Sequence, residues 1–439
     1  MSVYSLFRKR VMRILLFLVA LLLRALSGPL PAREIVVRLR TENRNLIPLY
    51  VSSNGDEIKQ NVLFGLRLNG MIVAESDSKD TENLLRKTPF PHELLWQRGY
   101  RYVVRIVSSG KEVHSTLFAL DTRQVHILPP RPATRPGAHE IADALYERLS
   151  GKKGIARRKI CYALQTEKKG LRKSEIWTAD CDGRNARRVS PGEGYRIHPV
   201  PIPPGTLSDT DEYLYVDYRA GQAKIHRGAF DGSREKPLLS LRGNQMLPAL
   251  SSSGTRLAFI SDATGRADLF LQTFDPRRGP VGKPVQLYSF PGSVQASPTF
   301  SPDGNRLVFV SDKGGSPALF LLNIPPGSRR KRPRPIRLTY DFRENICPAW
   351  SPDGTKLAYS AKIDGVRQIM MYDFATQREI PLTRGAHHKE NPCWSPEGEH
   401  ILFNTASPAS SELFVMHIGH RSPVRITGGP GRKHYPAWR

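Results

Sequence analysis

The chain of 439 residues carries 66 lysines and arginines against 40 aspartates and glutamates, a formal net charge of +26. A charge of this size favours anionic partners and surfaces. Nucleic acid is nevertheless not expected as a partner, because the sequence contains no recognised nucleic-acid-binding fold.

The first 32 residues have the layout of a secretory signal peptide. A basic cluster, Arg8–Arg13, precedes an uninterrupted apolar run, Ile14–Leu23, and cleavage is expected near the small residues Ser27 or Ala32. The run is too short for an ordinary membrane span, although an N-terminal anchor remains an alternative. We therefore expect an exported chain with no stable membrane insertion after cleavage.

Export narrows the class of anionic partner. Removing residues 1–32, which hold five bases and no acids, leaves a mature charge of +21. The counter-charges expected in a cell envelope are lipid phosphates, lipopolysaccharide or an acidic protein.

Residues 33–153 are predicted to form a small α/β domain. Its strands are expected at Glu34–Leu39, Arg101–Val107 and Val113–Leu120. Helices are predicted around His92–Gln97 and at Ala138–Ser150, where the apolar residues share one helical face. Gly151 follows in the usual C-terminal position.

A repeat of 44 to 50 residues fills the rest of the chain, residues 154–439. Its copies open with Pro199, Pro248, Pro298, Pro348, Pro392 and Pro436. The clearest copies run into a Ser-Pro-Asp-Gly turn, in which proline presets φ and glycine accepts a positive φ. Three further strand-like runs complete each unit. Four-stranded units with this period predict a β-propeller rather than an open β-solenoid, which expects shorter repeats.

The ends of the repeat region indicate how the ring closes. The first unit, Arg158–Val189, lacks an opening strand, whereas the C-terminal Tyr435–Trp438 is an opening strand without a unit. The C terminus is therefore predicted to supply the inner strand of blade 1. The predicted fold is an all-β six-bladed propeller preceded by a small α/β domain.

The four cysteines have no C-x-x-C or His/Cys metal spacing, so no metal site is expected. Cys161 and Cys181 are nearly symmetric about a hairpin centred near Gly170 and Leu171, which leaves a disulfide and two free thiols equally open. Cys347 and Cys393 lie one position out of register in adjacent blades, which favours two buried thiols.

The segment His139–Tyr162 joins the two domains. It reads as a helix ending in leucine, a small residue and glycine, then a basic link and the first propeller strand. This junction resembles that of the TolB family, periplasmic proteins of the bacterial Tol-Pal system. The repeats, the C-terminal Pro-Ala-Trp and the signal peptide also fit, so the resemblance covers nearly the whole chain.

The resemblance implies a scaffold with no catalytic residues and no cofactor. TolB proteins dock the outer-membrane lipoprotein Pal at one mouth of the propeller tunnel and contact the inner-membrane protein TolA through their mature N-terminal segment. They thereby support outer-membrane integrity and constriction at cell division. By position, the following residues just before the opening prolines are expected to rim the mouth: Arg196, His198, Gln245, Gln295, Ser297, Asn345, Ile346, Glu390, Asn391, His434 and Tyr435.

Two departures from the family are visible. The mature charge is more basic than that expected of a periplasmic TolB, and residues 33–40 hold three arginines where TolA should bind. Either the partners are correspondingly acidic or the TolA contact is altered.

Two other functions stay open. One is a secreted propeller that binds an anionic envelope polysaccharide or lipid. The other is a propeller hydrolase, which is disfavoured because the sequence has no G-x-S-x-G, H-E-x-x-H or P-loop motif. Neighbouring genes for a Pal-like lipoprotein and TolA-like membrane proteins would favour the Tol-Pal assignment.

Overall fold

A computed structural model describes residues 46–439 apart from 71, 88, 204–210, 326–332, 341–342 and 408–409. The predicted signal peptide and the predicted strand Glu34–Leu39 lie outside the described residues. Within them, one five-stranded sheet precedes six four-stranded sheets. The predicted class, a six-bladed propeller after a small α/β domain, is confirmed.

The N-terminal domain is built on a mixed sheet. Its elements are β1 (Ile47–Ser53), α1 (Asp56–Asn69), β2 (Ile72–Glu75), α2 (Lys79–Leu85), α3 (His92–Gln97), β3 (Tyr102–Ser109), β4 (Glu112–Ala119), β5 (Val125–Pro132) and α4 (Arg135–Ser150). The strand order is β2-β1-β3-β4-β5, with β1 parallel to both neighbours. Helices α1 and α4 share one apolar core with the sheet.

Helix α4 begins three residues before the predicted start, because the residues that begin the helix are not part of its apolar face. The Thr134 side chain accepts a hydrogen bond from the Gly137 backbone N–H, and Pro136 occupies the first turn. Gly151 ends the helix with φ of 73°, as the sequence predicts.

Six blades follow, and their strands alternate direction. Blade 1 contains β6 (Lys159–Lys168), β7 (Leu171–Asp180) and β8 (Arg187–Arg188), and blade 2 contains β9 (Arg196–Pro201), β10 (Glu212–Asp217), β11 (Lys224–Ala229) and β12 (Glu235–Pro237). Blade 3 contains β13 (Gln245–Leu250), β14 (Arg256–Ser261), β15 (Asp268–Asp275) and β16 (Gly279–Tyr288), and blade 4 contains β17 (Gln295–Phe300), β18 (Arg306–Ser311), β19 (Ala318–Asn323) and β20 (Ile336–Arg337). Blade 5 contains β21 (Asn345–Trp350), β22 (Lys356–Ile363), β23 (Val366–Asp373) and β24 (Arg378–Pro381), and blade 6 contains β25 (His388–Trp394), β26 (His400–Ala406), β27 (Leu413–His417) and β28 (Val424–Arg425).

The last strand, β29 (Arg432–Trp438), closes the ring. It pairs antiparallel with β6, so that Ala437 lies opposite Cys161 and Trp438 opposite Ile160. The Trp438 indole N–H donates to the Cys393 carbonyl oxygen of blade 6 at 3.2 Å. The prediction that the C terminus supplies the inner strand of blade 1 is confirmed.

Each inner strand contains a bulge at its opening proline. The residue before that proline has a positive φ, between 45° and 56°, in every blade, and the ladder register shifts at the same point. These residues are His198, Leu247, Ser297, Cys347, Asn391 and Tyr435. Because residues other than glycine rarely adopt this conformation, its sixfold recurrence marks a fixed feature of the ring.

The N-terminal domain packs on the end of the propeller opposite the start of the inner strands. Asn69, the last residue of α1, accepts a hydrogen bond through its carbonyl oxygen from His400 Nε2 at 3.1 Å. From α4, Arg135 pairs with Asp180 and Asp182 at the far end of β7. One face of the propeller therefore holds the N-terminal domain. The other face, where the inner strands begin, is available for a binding site.

The four cysteines are free thiols. A disulfide between Cys161 and Cys181 is excluded by the register of the β6–β7 hairpin, in which Cys161 lies opposite Thr178. The turn falls at Lys169 and Gly170, one residue earlier than expected, so the two thiols belong to separate apolar clusters. Cys347 and Cys393 are only partly buried.

Among the helices of the described ranges, none combines the length and apolar character that a membrane crossing requires.

Candidate partner-binding mouth of the propeller

A cavity of about 400 Å³ opens where the inner strands begin. All six residues that precede the opening prolines line it: His198, Leu247, Ser297, Cys347, Asn391 and Tyr435. Each blade contributes one residue at the same backbone position, so the lining is a ring. We call this cavity the mouth.

Neighbouring positions complete the wall of the mouth. The preceding residue on four inner strands also lines it, and the remaining contributions come from strands and loops of blades 1 and 6. These residues are Ile197, Ile346, Glu390 and His434, followed by Ala163, Gln165, Ser174, Tyr195, Ala406 and Arg432. The wall thus combines apolar, aromatic and hydrogen-bonding groups.

The aromatic side of the mouth is uncharged at neutral pH. Burial lowers the pKa of His198 to about 4, and burial with the nearby Arg432 lowers that of His434 to about 4. Burial also raises the pKa of Tyr435. The His198 and Tyr435 rings pack against each other in the wall, with 3.9 Å between their centroids.

In the neighbouring blades 5 and 6, amide and thiol groups bond one another. Cys347 Sγ donates to Asn391 Oδ1 at 3.3 Å, and Asn391 Nδ2 donates to Asn404 Oδ1 at 2.8 Å. Burial, reinforced by Glu390, raises the pKa of the Cys347 thiol to about 12. The thiol therefore stays protonated and acts as a hydrogen-bond donor rather than a nucleophile.

Glu390 and Arg432 are the charged members of the described lining, and they balance each other in sign. Glu390 Oε1 lies 3.5 Å from Arg367 Nη1, and Arg432 Nη2 donates to the Ser407 carbonyl oxygen at 2.9 Å. Within the described ranges, no three His, Cys, Asp or Glu side chains are grouped so that they could hold a metal ion. The described lining thus offers hydrogen-bonding and apolar groups with little net charge.

Seven of the eleven residues expected at the mouth are found there. They are His198, Ser297, Ile346, Glu390, Asn391, His434 and Tyr435.

The other four are buried inside the blades, and the expectation that they rim the mouth is wrong. Arg196, Gln245, Gln295 and Asn345 are at most 2% exposed, and each is the third residue before its proline. Their side chains bond the segment that leads into the strand or the preceding blade: Gln245 Nε2 donates to Leu241 O at 3.0 Å. They hold the inner strands in place behind the mouth.

Sequence reasoning missed part of the mouth. Leu247 and Cys347 stand at the same position before a proline as His198 and Ser297, so the repeat itself could have identified them. Cys347 is instead predicted from the sequence to be a buried thiol. The wall residues of blade 1 and the loops carry no repeat signal.

Comparison with known proteins assigns the family. A model of the TolB beta propeller domain matches residues 146–439. A TolB homolog of Protochlamydia amoebophila (strain UWE25) is 36% identical over 384 residues, 81% of each chain. A TolB homolog of Chlamydia felis (strain Fe/C-56) is 32% identical over 270 residues, 58% of this chain and 59% of the relative.

A solved structure shows the same fold. The crystal structure of TolB from Acinetobacter baumannii aligns with a TM-score of 0.74 at 22% identity and covers 90% of this chain and 96% of that chain. The family match spans the propeller, and the Protochlamydia relative extends it over most of the chain. The chain belongs to the TolB family.

Proposed function

We propose that this chain is the periplasmic TolB component of a Tol-Pal system and that it binds the lipoprotein Pal at the mouth. The observation that carries the proposal is the ring of six residues with positive φ, one from each blade, around a cavity of about 400 Å³. Family membership supports the Tol-Pal assignment, and the predicted signal peptide supports the periplasmic location.

The chemistry of the mouth suits a protein ligand. His198, Tyr435 and Ile346 offer apolar area, whereas Asn391 and Ser297 offer hydrogen bonds. A convergent cavity of this kind anchors a few side chains or a short segment of a partner, and such anchors carry most of the binding energy of an interface.

The placement of the two domains allows a second partner at the same time. The N-terminal domain contacts the propeller through Asn69 and Arg135 at the face opposite the mouth. We propose that the residues preceding β1 contact TolA, so that the protein links the outer-membrane lipoprotein to an inner-membrane protein. Such a link supports outer-membrane integrity and the invagination of the outer membrane during division.

The role proposed is that of a scaffold and not of an enzyme. Among the residues lining the mouth, the Cys347 thiol is held protonated and bonds an amide, and the buried His198 and His434 have pKa values of about 4. A general base for neutral pH needs a pKa nearer to 7.

Calorimetric titration of the mature chain with the soluble domain of Pal from the same organism tests the proposal. We expect a one-to-one complex with a Kd in the micromolar range or tighter. This corresponds to a binding free energy of about −8 kcal/mol or more negative. Ile346→Arg places a charge in the mouth and should abolish binding. The matched control, Val281→Arg, changes a valine that is 48% exposed on β16 and should bind normally.

Two results would overturn the assignment. One is the absence of binding by the parent chain at micromolar concentrations. The other is equal binding by the parent and by folded Ile346→Arg, which would move the contact away from the mouth.

A further inference from the structure

The β6–β7 hairpin extends beyond its blade beside the mouth. Its strands have ten residues each, whereas the second strands of blades 2, 3 and 4 have six. Gln165 and Ser174, which line the mouth, lie opposite each other, and three more residue pairs follow before the turn. At about 3.3 Å per residue, this segment, residues 166–173, rises roughly 10 Å above the mouth. We call it the arm.

The arm is a regular hairpin. Thr166 lies opposite Lys173 and Lys168 opposite Leu171, so pairing continues to the turn. The two turn residues, Lys169 and Gly170, have φ of 52° and 77°. Positive φ at both central positions is the two-residue turn that matches the twist of a hairpin. The arm therefore presents its side chains in a fixed arrangement.

The side chains of the arm are mostly cationic. Its four bases are Lys168, Lys169, Arg172 and Lys173, against the single acid Glu167. Arg172 Nε lies 3.0 Å from Glu167 Oε2, and Lys173 Nζ lies 2.6 Å from Glu193 Oε2 in the adjoining loop.

Two cations of the arm are left without an acid. Lys168 and Lys169 are exposed and have no ion pair within the described part of the chain. Leu171, opposite Lys168, is 61% exposed. The end of the arm thus combines unneutralised positive charge with an apolar contact, a pattern that recurs where a charged surface meets a partner.

The arm differs in charge from the mouth that it adjoins. Glu390 and Arg432 balance each other in the described lining, and His198 is neutral because burial lowers its pKa to about 4. A ligand bound in the mouth therefore meets little net charge there. Outside the lining, the arm adds positive charge next to Gln165 and Ser174.

We propose that the arm binds an acidic surface on the protein that occupies the mouth. The inference rests on the proposed function, since it assigns to the same partner a second contact outside the cavity. The arm continues the strands of Gln165 and Ser174, which line the mouth, and it carries the unpaired Lys168 and Lys169 at its end. A protein that fills the mouth and protrudes from it passes beside the arm, so its surface meets these two cations.

The triple variant Lys168→Gln, Lys169→Asn, Lys173→Gln tests the arm. Asparagine suits the positive φ of the turn, so the hairpin is retained. The matched control, Lys236→Gln, Lys283→Gln, Arg378→Gln, removes the same number of charges from exposed positions on the outer strands.

Association of each chain with the soluble domain of Pal is measured by stopped flow at 50 and 300 mM NaCl. Neutralising the arm should lower the association rate constant about tenfold at 50 mM NaCl, and the difference should shrink at 300 mM as salt screens the charges. The control variant should change the rate less than about twofold, because long-range attraction is strongest near the docking surface.

The outcomes separate the two proposals. If the parent chain does not bind Pal at all, the proposed function fails and the inference falls with it. If the parent binds and the arm variant associates at the same rate, only the arm inference is overturned. Sedimentation with vesicles of phosphatidylglycerol and phosphatidylcholine gives the third result: vesicle binding that depends on the arm, with unchanged Pal kinetics, would assign the arm to a membrane and overturn the protein contact.

Discussion

The imidazole ring of His198 and the phenol ring of Tyr435 lie 3.9 Å apart between centroids, at an interplanar angle of 31°. Each is the residue before an opening proline and has a positive φ. Tyr435 belongs to β29, the inner strand of blade 1, and His198 to the inner strand of blade 2, so the ring pair joins two neighbouring blades at the mouth.

Removing either ring should weaken the binding of Pal. Asparagine accepts a positive φ, so His198→Asn and Tyr435→Asn delete the rings without straining the backbone. We expect each variant to raise the Kd about tenfold, or about 1.4 kcal/mol, because aromatic anchors dominate interface energetics. Calorimetric titration measures the change. His114→Asn, at an exposed position of β4, is the control, and unchanged affinity in both mouth variants would contradict the prediction.

The backbone of the mouth limits which residues can stand there. Ser297 has φ of 45°. Ser297→Val should lower the free energy of unfolding by about 1–2 kcal/mol, because a β-branched side chain is strained in the left-handed region. Ser297→Gly removes that strain and should cost little. Urea unfolding of the two variants decides the point, and equal stabilities would show that the conformation imposes no cost.

Asn345 is expected to matter for stability rather than for binding. Its side chain is fully buried, and Nδ2 donates to the Arg343 carbonyl oxygen at 2.9 Å. Asn345→Ala should lower the free energy of unfolding by about 1–2 kcal/mol while the folded protein binds Pal normally. Thermal unfolding and titration together test this. A normal melting temperature with weakened binding would instead place Asn345 in the partner contact.

The stability of the fold should decrease in acid. Burial lowers the pKa of His400 to about 3, against about 6.5 for an unfolded histidine. The stability associated with neutral, buried His400 is complete above pH 6.5. It is lost as the pH falls towards 3, because in that range only the unfolded chain binds the proton. In that pH range the free energy of unfolding falls by about 1.4 kcal/mol per pH unit. The buried His198 and His434 likewise make the fold less stable in acid, down to about pH 4.

Urea unfolding at pH 7 and pH 5 measures this dependence. We expect a loss of about 2 kcal/mol for His400 alone at pH 5. His400→Gln should reduce the loss relative to the parent chain, whereas His114→Gln should leave it unchanged. A pH dependence that is identical in His400→Gln would show that His400 is not responsible.

The propeller ring could be predicted from the sequence because the opening proline, the turn after it and the spacing between copies recur along the chain. The orientation of individual side chains could not, because the bulge before each proline interrupts the alternation on which such readings depend. Ser297 therefore lines the mouth, whereas Gln295, which alternation alone would have grouped with Ser297, is buried. This is the physical reason that Arg196, Gln245, Gln295 and Asn345 were misplaced.

The cysteine pairing failed for a related reason. A hairpin fixes which residues face each other only once its turn is known, and the Lys169–Gly170 turn was assigned one residue too late. That shift moves the residue opposite Cys161 by two positions, to Thr178, and leaves Cys181 three residues away from it. In contrast, the junction His139–Tyr162 resembles the TolB family over enough consecutive residues to indicate that family correctly.

The closing strand has a consequence for when the protein can act. Arg432, His434 and Tyr435 all come from β29, which follows every other described strand along the chain. A chain halted before Arg432 retains five complete blades but lacks one sector of the mouth. A partner that docked there would consequently discriminate against chains that end before Arg432.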